Sequence, residues 1–318
     1  MSLNVAIQMD PIGGIDIRGD TTFALGLEAQ KRGHALFIYG PEQISMALRH
    51  GTAPKDSVMV KGRTTILSDT IGAHYQEDEL EQRALISSNV VLMRQDPPFD
   101  MQYITATHLL DHVHPETFVV NNPTEVRNAP EKLLVTYFPE LLPPTLISRD
   151  IDEIKSFRDT YKNIIVKPLF GNGGAGVFHL QPGDSNLSSL LEMMLVSREP
   201  IMIQQYLPQV RSGDKRVILI DGKAVGALNR LPAEGEARSN MHVGGQPAEI
   251  ALDDDDYRIA EAIGPLLKER GLLFTGIDVI GGYLTEINVT SPTGIREIER
   301  FTGVNLAAQV WDAIESKL

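Results

Sequence analysis

The chain has 318 residues, no cysteine and a formal net charge of -13. That length supports more than one core, the missing cysteine excludes disulfides, thiolate metal sites and a cysteine nucleophile, and the acidic balance argues against a general nucleic-acid binder. The start, Met-Ser-Leu-Asn-Val-Ala-Ile, lacks the basic-then-apolar pattern of a secretion signal, and no apolar run approaches the roughly 20 residues of a membrane helix, so a cytoplasmic protein with no membrane partner is expected.

In chain order, Val5–Met9 is a buried strand, followed by the loop Asp10-Pro11-Ile12-Gly13-Gly14. Asp20 or Thr21 caps a helix carrying Phe23, Leu25, Leu27 and Ala29, which Gly33 ends. This reads Asp20 as a cap and not as part of an Arg18-Gly19-Asp20 adhesion tripeptide. Further strands are His34–Tyr39, Val90–Met93 and Thr117–Val120, which predicts an open parallel sheet over the first 120 or so residues. His112, His114 and Glu116 lack a fourth metal partner and read as a solvated loop.

From Pro123 the pattern changes. A helix is expected over about Glu125 to Phe138, interrupted near Pro130, and another over Ile151–Tyr161. Strand "NIIVKP", a glycine-rich loop, strand "VFHL" and helix "LSSLLEMMLVS" follow. Strands "IMIQQYL", "RVILIDG" and "AVGALNRL" lead into Leu231–Ile250, which has no period and is expected to be a long mobile loop. Asp253–Asp256 offers either a cation site or, as expected here, the negative N-terminus of the next helix.

The loop Gly171-x-Gly173-x-x-Gly176 lies between two strands, so it fits neither a dinucleotide fingerprint nor a Walker loop. A flap over phosphates remains, its backbone N–H groups exposed by the glycines and Lys167 just before it; the plain alternative is a surface hairpin. Near the end, "FTGIDVIGGYLTEINV" reads as a hairpin. A two-residue turn would pair Asp278 with Thr285 and scramble the apolar face. A three-residue loop, Gly281–Tyr283, pairs Asp278 with Glu286 and gathers Asp278, Glu286 and Asn288 on one face. Two carboxylates and an amide oxygen are hard ligands suited to Mg²⁺, or Mn²⁺ in its place, shared with substrate phosphates.

Lys132, Lys167 with its glycine loop, and Asp278…Glu286-x-Asn288 together resemble the ATP-grasp arrangement. Over nearly its whole length, through "VAIQMDPI", "LMRQDPPFD", "EKLLVTYFPELLPPTLI", "IIVKPLFGNGGAGVF", "YLPQVRSGDKRVILIDG" and "LTEINVTSPTGIREIE", the chain is similar to prokaryotic-type glutathione synthetases. The resemblance implies an α/β protein with three parts. Residues 1–122 would be the parallel-sheet domain. Residues 123–200 would be the central ATP-grasp subdomain with its flap. Residues 201–318 would be the C-terminal subdomain, with the Mg²⁺ hairpin and a lid over 231–250.

It also implies ATP-dependent ligation of γ-glutamylcysteine and glycine through an acyl phosphate, by a homotetramer. Another ATP-grasp ligase, adding an amino acid to a peptide or protein terminus, is the alternative. By the same resemblance Lys132, Lys167, Gly173 and Gly174 would hold phosphates, Gln204, Gln205, Tyr206 and Leu207 the adenine, and Asp214 the ribose. Asp278, Glu286 and Asn288 would hold Mg²⁺. Arg216 and Arg230 would neutralise the carboxylate and its acyl phosphate, and Arg94, Arg238, Ser291 and Thr293 would meet peptide substrate. Tyr206 to Gln246 has six Lys/Arg against four Asp/Glu, a local +2 within the acidic chain that suits anionic substrates. One departure stands out: Gln246 occupies a position where the family commonly has arginine, so the lid carries one charge fewer there.

Overall fold

The computed structural model describes residues 2–171, 173–233 and 244–318. The chain opens with β1 (Asn4–Gln8), α1 (Thr21–Lys31) and β2 (Ala35–Tyr39). Asp20 caps α1, its carboxylate accepting from the Phe23 N–H at 2.6 Å, while Arg18 pairs with Asp16 at 2.7 Å. Strands β3 (Ile44–Met46), β4 (Val58–Leu67), β5 (Tyr75–Glu77) and β6 (Glu81–Ala84) precede β7 (Val90–Met93), α2 (Met101–Asp111) and β8 (Phe118–Val120).

The first sheet has the order β3-β4-β2-β1-β7-β8, with β5 and β6 also on β4. Its centre, β2-β1-β7-β8, is parallel as expected, and its strands are apolar runs buried on both faces. The sheet as a whole is mixed, because β4 runs antiparallel to β2 and carries the added strands. β4 hid in the sequence behind Lys61, Gly62 and Arg63. A Cβ at Gly62 would lie 2.3 Å from the Ile38 carbonyl oxygen, so the glycine is what lets the two backbones approach. Lys55 holds Glu116 and the Val119 N–H donates to His114 Nδ1, so neither residue is free for a metal.

Where one interrupted helix was expected, Pro130 separates α3 (Pro123–Asn128) from α4 (Glu131–Leu134), and a 3-10 turn follows. Then come β9 (Thr145–Ser148), α5 (Ile151–Tyr161), β10 (Ile164–Pro168), β11 (Phe178–Leu180), α6 (Leu187–Met194) and β12 (Ile201–Gln205). They form a second, antiparallel sheet of order β11-β10-β12-β9.

The third sheet, β15-β14-β13-β16-β17, is also antiparallel. It is built from β13 (Asp214–Ile220), β14 (Lys223–Leu231), β15 (Gln246–Glu249), β16 (Phe274–Ile280) and β17 (Tyr283–Asn288). Helix α7 (Asp254–Glu269) lies between β15 and β16, and α8 (Ile295–Thr302) and α9 (Leu306–Glu315) close the chain.

Two expectations change here. The stretch 231–250 is not all loop: Gln246–Glu249 pairs with β14, Leu231 opposite Gln246. Pro247 masked this strand, and its place at the sheet edge explains how proline is tolerated. The hairpin keeps the expected pairings, Asp278 with Glu286 and Ile277 with Ile287, but by another device. The turn is the two-residue Gly281-Gly282, with φ of +56° and +79°, and a bulge at Thr285 restores the register. Thr285 Oγ1 donates to the Asp278 carbonyl at 3.1 Å.

Candidate active site

Four strands of the third sheet, β14, β13, β16 and β17, carry a ladder of charges on one face. Arg230 on β14 stands opposite Asp214 on β13, Arg216 opposite Asp278 on β16, and Asp278 opposite Glu286 on β17. Alternation puts all of them, with Asn288, on the face that the core leaves free.

Two cations hold each hairpin carboxylate. Arg216 Nε reaches Asp278 Oδ1 at 2.6 Å, and Arg230 Nη2 reaches it at 3.0 Å while also holding Asp214 at 2.6 Å. From the opposite side, Lys167 on β10 and Lys132 on α4 approach Glu286 Oε1 at 3.4 and 3.6 Å. Lys132 also donates to the Gly171 carbonyl at 2.6 Å, tying α4 to the glycine loop. Burial alone would raise the Asp278 carboxyl, but Arg216 and Arg230 outweigh it and hold it well below the usual range. Burial likewise opposes ionisation of Glu286, and Lys132 and Lys167 overcome it. Burial pushes Lys167 below its ordinary value despite Glu286.

Beside this charged floor lies a cleft of about 720 Å³, open at its mouth and lined by Ile165, Lys167, Asp214, Glu286 and the strand end Gln204–Leu207. Gln204 donates to Thr145 Oγ1 at 3.0 Å, and the Tyr206 ring stacks on His179 at 3.9 Å, two supports that the sequence alone did not reveal. Gly173 and Gly174, at φ of +60° and +80°, adopt backbone that suits glycine and not other residues.

Arg94 lies apart from that cleft, buried at the end of β7. It donates to Thr22 Oγ1 at 3.1 Å and to the Pro292 carbonyl at 3.0 Å, while its Nη1 has no hydrogen-bond partner. Burial lowers its pKa. Ser291 Oγ donates to the Arg94 carbonyl at 3.3 Å, and Thr293 is half-buried in the same turn. Arg238 lies outside the described residues.

Sequence reasoning overlooked Glu131. It lies at the start of α4, beside Lys132, and accepts from Thr290 Oγ1 at 2.9 Å. Burial, and then the Glu286 charge, push its carboxyl up to about 7. Its position next to Lys132 in "EKLL" was the only available signal.

Comparison with known proteins agrees across the chain. The N-terminal domain family of prokaryotic glutathione synthetase matches residues 3–127, and its ATP-grasp domain family matches residues 131–303. The chain is 58% identical to the glutathione synthetase of Brucella melitensis over 318 residues, all of both chains. It is 42% identical to that of Vibrio cholerae, covering 99% of this chain and 98% of the relative. Among solved structures, the D-cycloserine synthetase DcsG has a TM-score of 0.68 at 14% identity, covering 99% of both chains. The ATP-grasp ligase PsnB, complexed with minimal precursor, Mg and ADP, has a TM-score of 0.62 at 17% identity, covering 98% of this chain and 97% of that one. At such identities these two speak for the fold alone.

Proposed function

The chain belongs to the prokaryotic glutathione synthetase family, and we propose that its charged cleft joins γ-glutamylcysteine to glycine at the expense of ATP. The observation that carries the site reading is the pair of hairpin carboxylates, each held between two cations beside a cleft lined by the strand end Gln204–Leu207. The γ-phosphoryl group passes to the cysteinyl carboxylate, giving an acyl phosphate and ADP. The glycine nitrogen then attacks the carbonyl carbon, the C–O bond to phosphate breaks, and the amine gives up its proton.

No side chain has to act as a nucleophile; the work is positioning and charge stabilisation. Lys132 and Lys167 would hold the phosphates, with Gly173 and Gly174 lying over them. Gln204–Leu207 would border the adenine, and Asp214 would reach the ribose. Arg216 and Arg230 would turn from Asp278 toward the acyl phosphate. Arg94 would offer its unpartnered Nη1 to a peptide carboxylate, beside Ser291 and Thr293.

The hairpin donors suit Mg²⁺. They are hard oxygens, and among the described residues no cluster of three or more acidic or histidine side chains could hold an ion unaided. An ion at Asp278, Glu286 and Asn288 would complete its shell with water and phosphate oxygens. When bound, Mg²⁺ would neutralise phosphate charge and orient the group in transfer. Among the described residues no helix is long and apolar enough to cross a membrane.

A phosphate-release assay with Mg-ATP tests the reaction. Phosphate is expected only when γ-glutamylcysteine and glycine are both present, in step with the tripeptide. Product from a different peptide acceptor, and none from this pair, would sink the substrate assignment.

A further inference from the structure

We propose that Glu131 is a positioning residue for the metal end of the site, fixing which way the Asn288 amide faces. This rests on the metal reading above and goes beyond it. An asparagine amide can turn over by about 180° with almost no change of shape, yet only its oxygen can ligate a cation. Asn288 lies between a carboxylate and a guanidinium. With its nitrogen toward Glu131 it donates to Oε2 at 3.1 Å, and its oxygen then accepts from Arg216 Nη2 at 3.3 Å. The reverse orientation sets oxygen against carboxylate and NH₂ against guanidinium, and satisfies neither.

Glu131 is itself held in place. Thr290 Oγ1 donates to its Oε1, leaving Oε2 for Asn288. The carboxylate also comes from α4, the short helix that presents Lys132, so one element sets both a phosphate-side cation and the amide orientation. Arg216 constrains the amide from the other side, but it also binds Asp278 and, on the reading above, would turn toward the acyl phosphate. Glu131 is the constraint that persists through the reaction. Partners of this kind behind a ligand commonly change metal affinity by about 10–100-fold.

The test is Mn²⁺ binding to the enzyme–ADP complex, read by electron paramagnetic resonance, with ADP binding measured separately without metal. Glu131→Met keeps the length and removes the acceptor; Glu131→Gln keeps an acceptor oxygen. Glu131→Met is expected to weaken Mn²⁺ by about 10–100-fold and Glu131→Gln by about threefold at most, with metal-free ADP binding unchanged in both. Equal Mn²⁺ affinity in wild type and Glu131→Met would overturn the proposal. Equal losses in both variants would also overturn it, since charge and not orientation would then matter. A wild type that binds no Mn²⁺ with ADP would instead remove the metal reading underneath. Should Glu131→Met fail to fold, Thr290→Val, which loosens the carboxylate, must show a smaller loss of the same kind; an unchanged Mn²⁺ affinity there counts against the proposal.

Discussion

Glu286 is the carboxylate that two buried lysines both approach. Lys132 and Lys167 are buried, and both lie within 3.6 Å of one Glu286 oxygen. The carboxylate thus stands in for the phosphates that would bind there. Glu286→Gln is therefore not a silent change in the free enzyme: it takes the shared carboxylate away from two buried ammonium groups, leaving them Glu131 and Asp278, and is expected to cost about 1–3 kcal/mol. Metal-free ADP should bind that variant as well as wild type or better, because its phosphates replace the lost charge, while the enhancement by Mg²⁺ should disappear. Calorimetry with and without Mg²⁺ decides it; a retained Mg²⁺ enhancement would remove Glu286 from the metal site. Much of this was legible residue by residue, since alternation alone put Asp278, Glu286 and Asn288 on one face. Glu131 was not, because its partners Asn288 and Thr290 are more than 150 residues further along and a single carboxylate beside a lysine has no period to betray it.

At the level of elements, sequence patterning found what repeats and missed what local exceptions repair. The pairing of Asp278 with Glu286 followed from the apolar face, yet the Thr285 bulge that achieves it leaves no mark in a hydrophobic pattern. Likewise the acid run at Asp253–Asp256 was readable as a helix start. Asp253 caps α7 in a reciprocal box with Asp256, but the cation that anchors it lies elsewhere. Lys215 on β13 reaches Asp253 at 2.5 Å and the fully buried Asp256 at 2.8 Å, fastening α7 to the third sheet. Its neighbour Arg216 points to the other face, toward Asp278. Lys215→Met should then lower stability by about 3 kcal/mol, the scale for breaking a buried ion pair, with the KM for ATP close to that of wild type. Urea unfolding gives the first quantity. A loss under about 1 kcal/mol would mean that the pair is solvated and contributes little.

Across the whole molecule, the last helix belongs to the packing of the first. Trp311 on α9 is fully buried and donates its indole N–H to the Leu25 carbonyl at 2.8 Å, across 286 residues of sequence. Around it, one apolar cluster joins Ile7, Phe23 and Leu25 of the first sheet and its helix to Ile218 and Leu228 of the third sheet. At the rim Arg32 pairs with Asp312 at 2.8 Å and with Glu315 at 2.7 Å, and Arg296 reaches Asp69 at 2.7 Å. This shared core holds the sheet bearing Arg94 against the sheet bearing Asp278, the two ends of the proposed site. Sequence periodicity could show that α9 is amphipathic but not which distant surface it covers. Trp311→Ala should cost about 3–5 kcal/mol by leaving a cavity where the two sheets meet. Because the cluster spans both, the first and third sheets should lose stability together, in a single transition shifted to lower denaturant. Hydrogen exchange on β1 and on β13 would read the two separately. Weakened protection on β1 with β13 unchanged would mean that α9 stabilises only the N-terminal sheet, and that the link between the two ends of the site runs elsewhere.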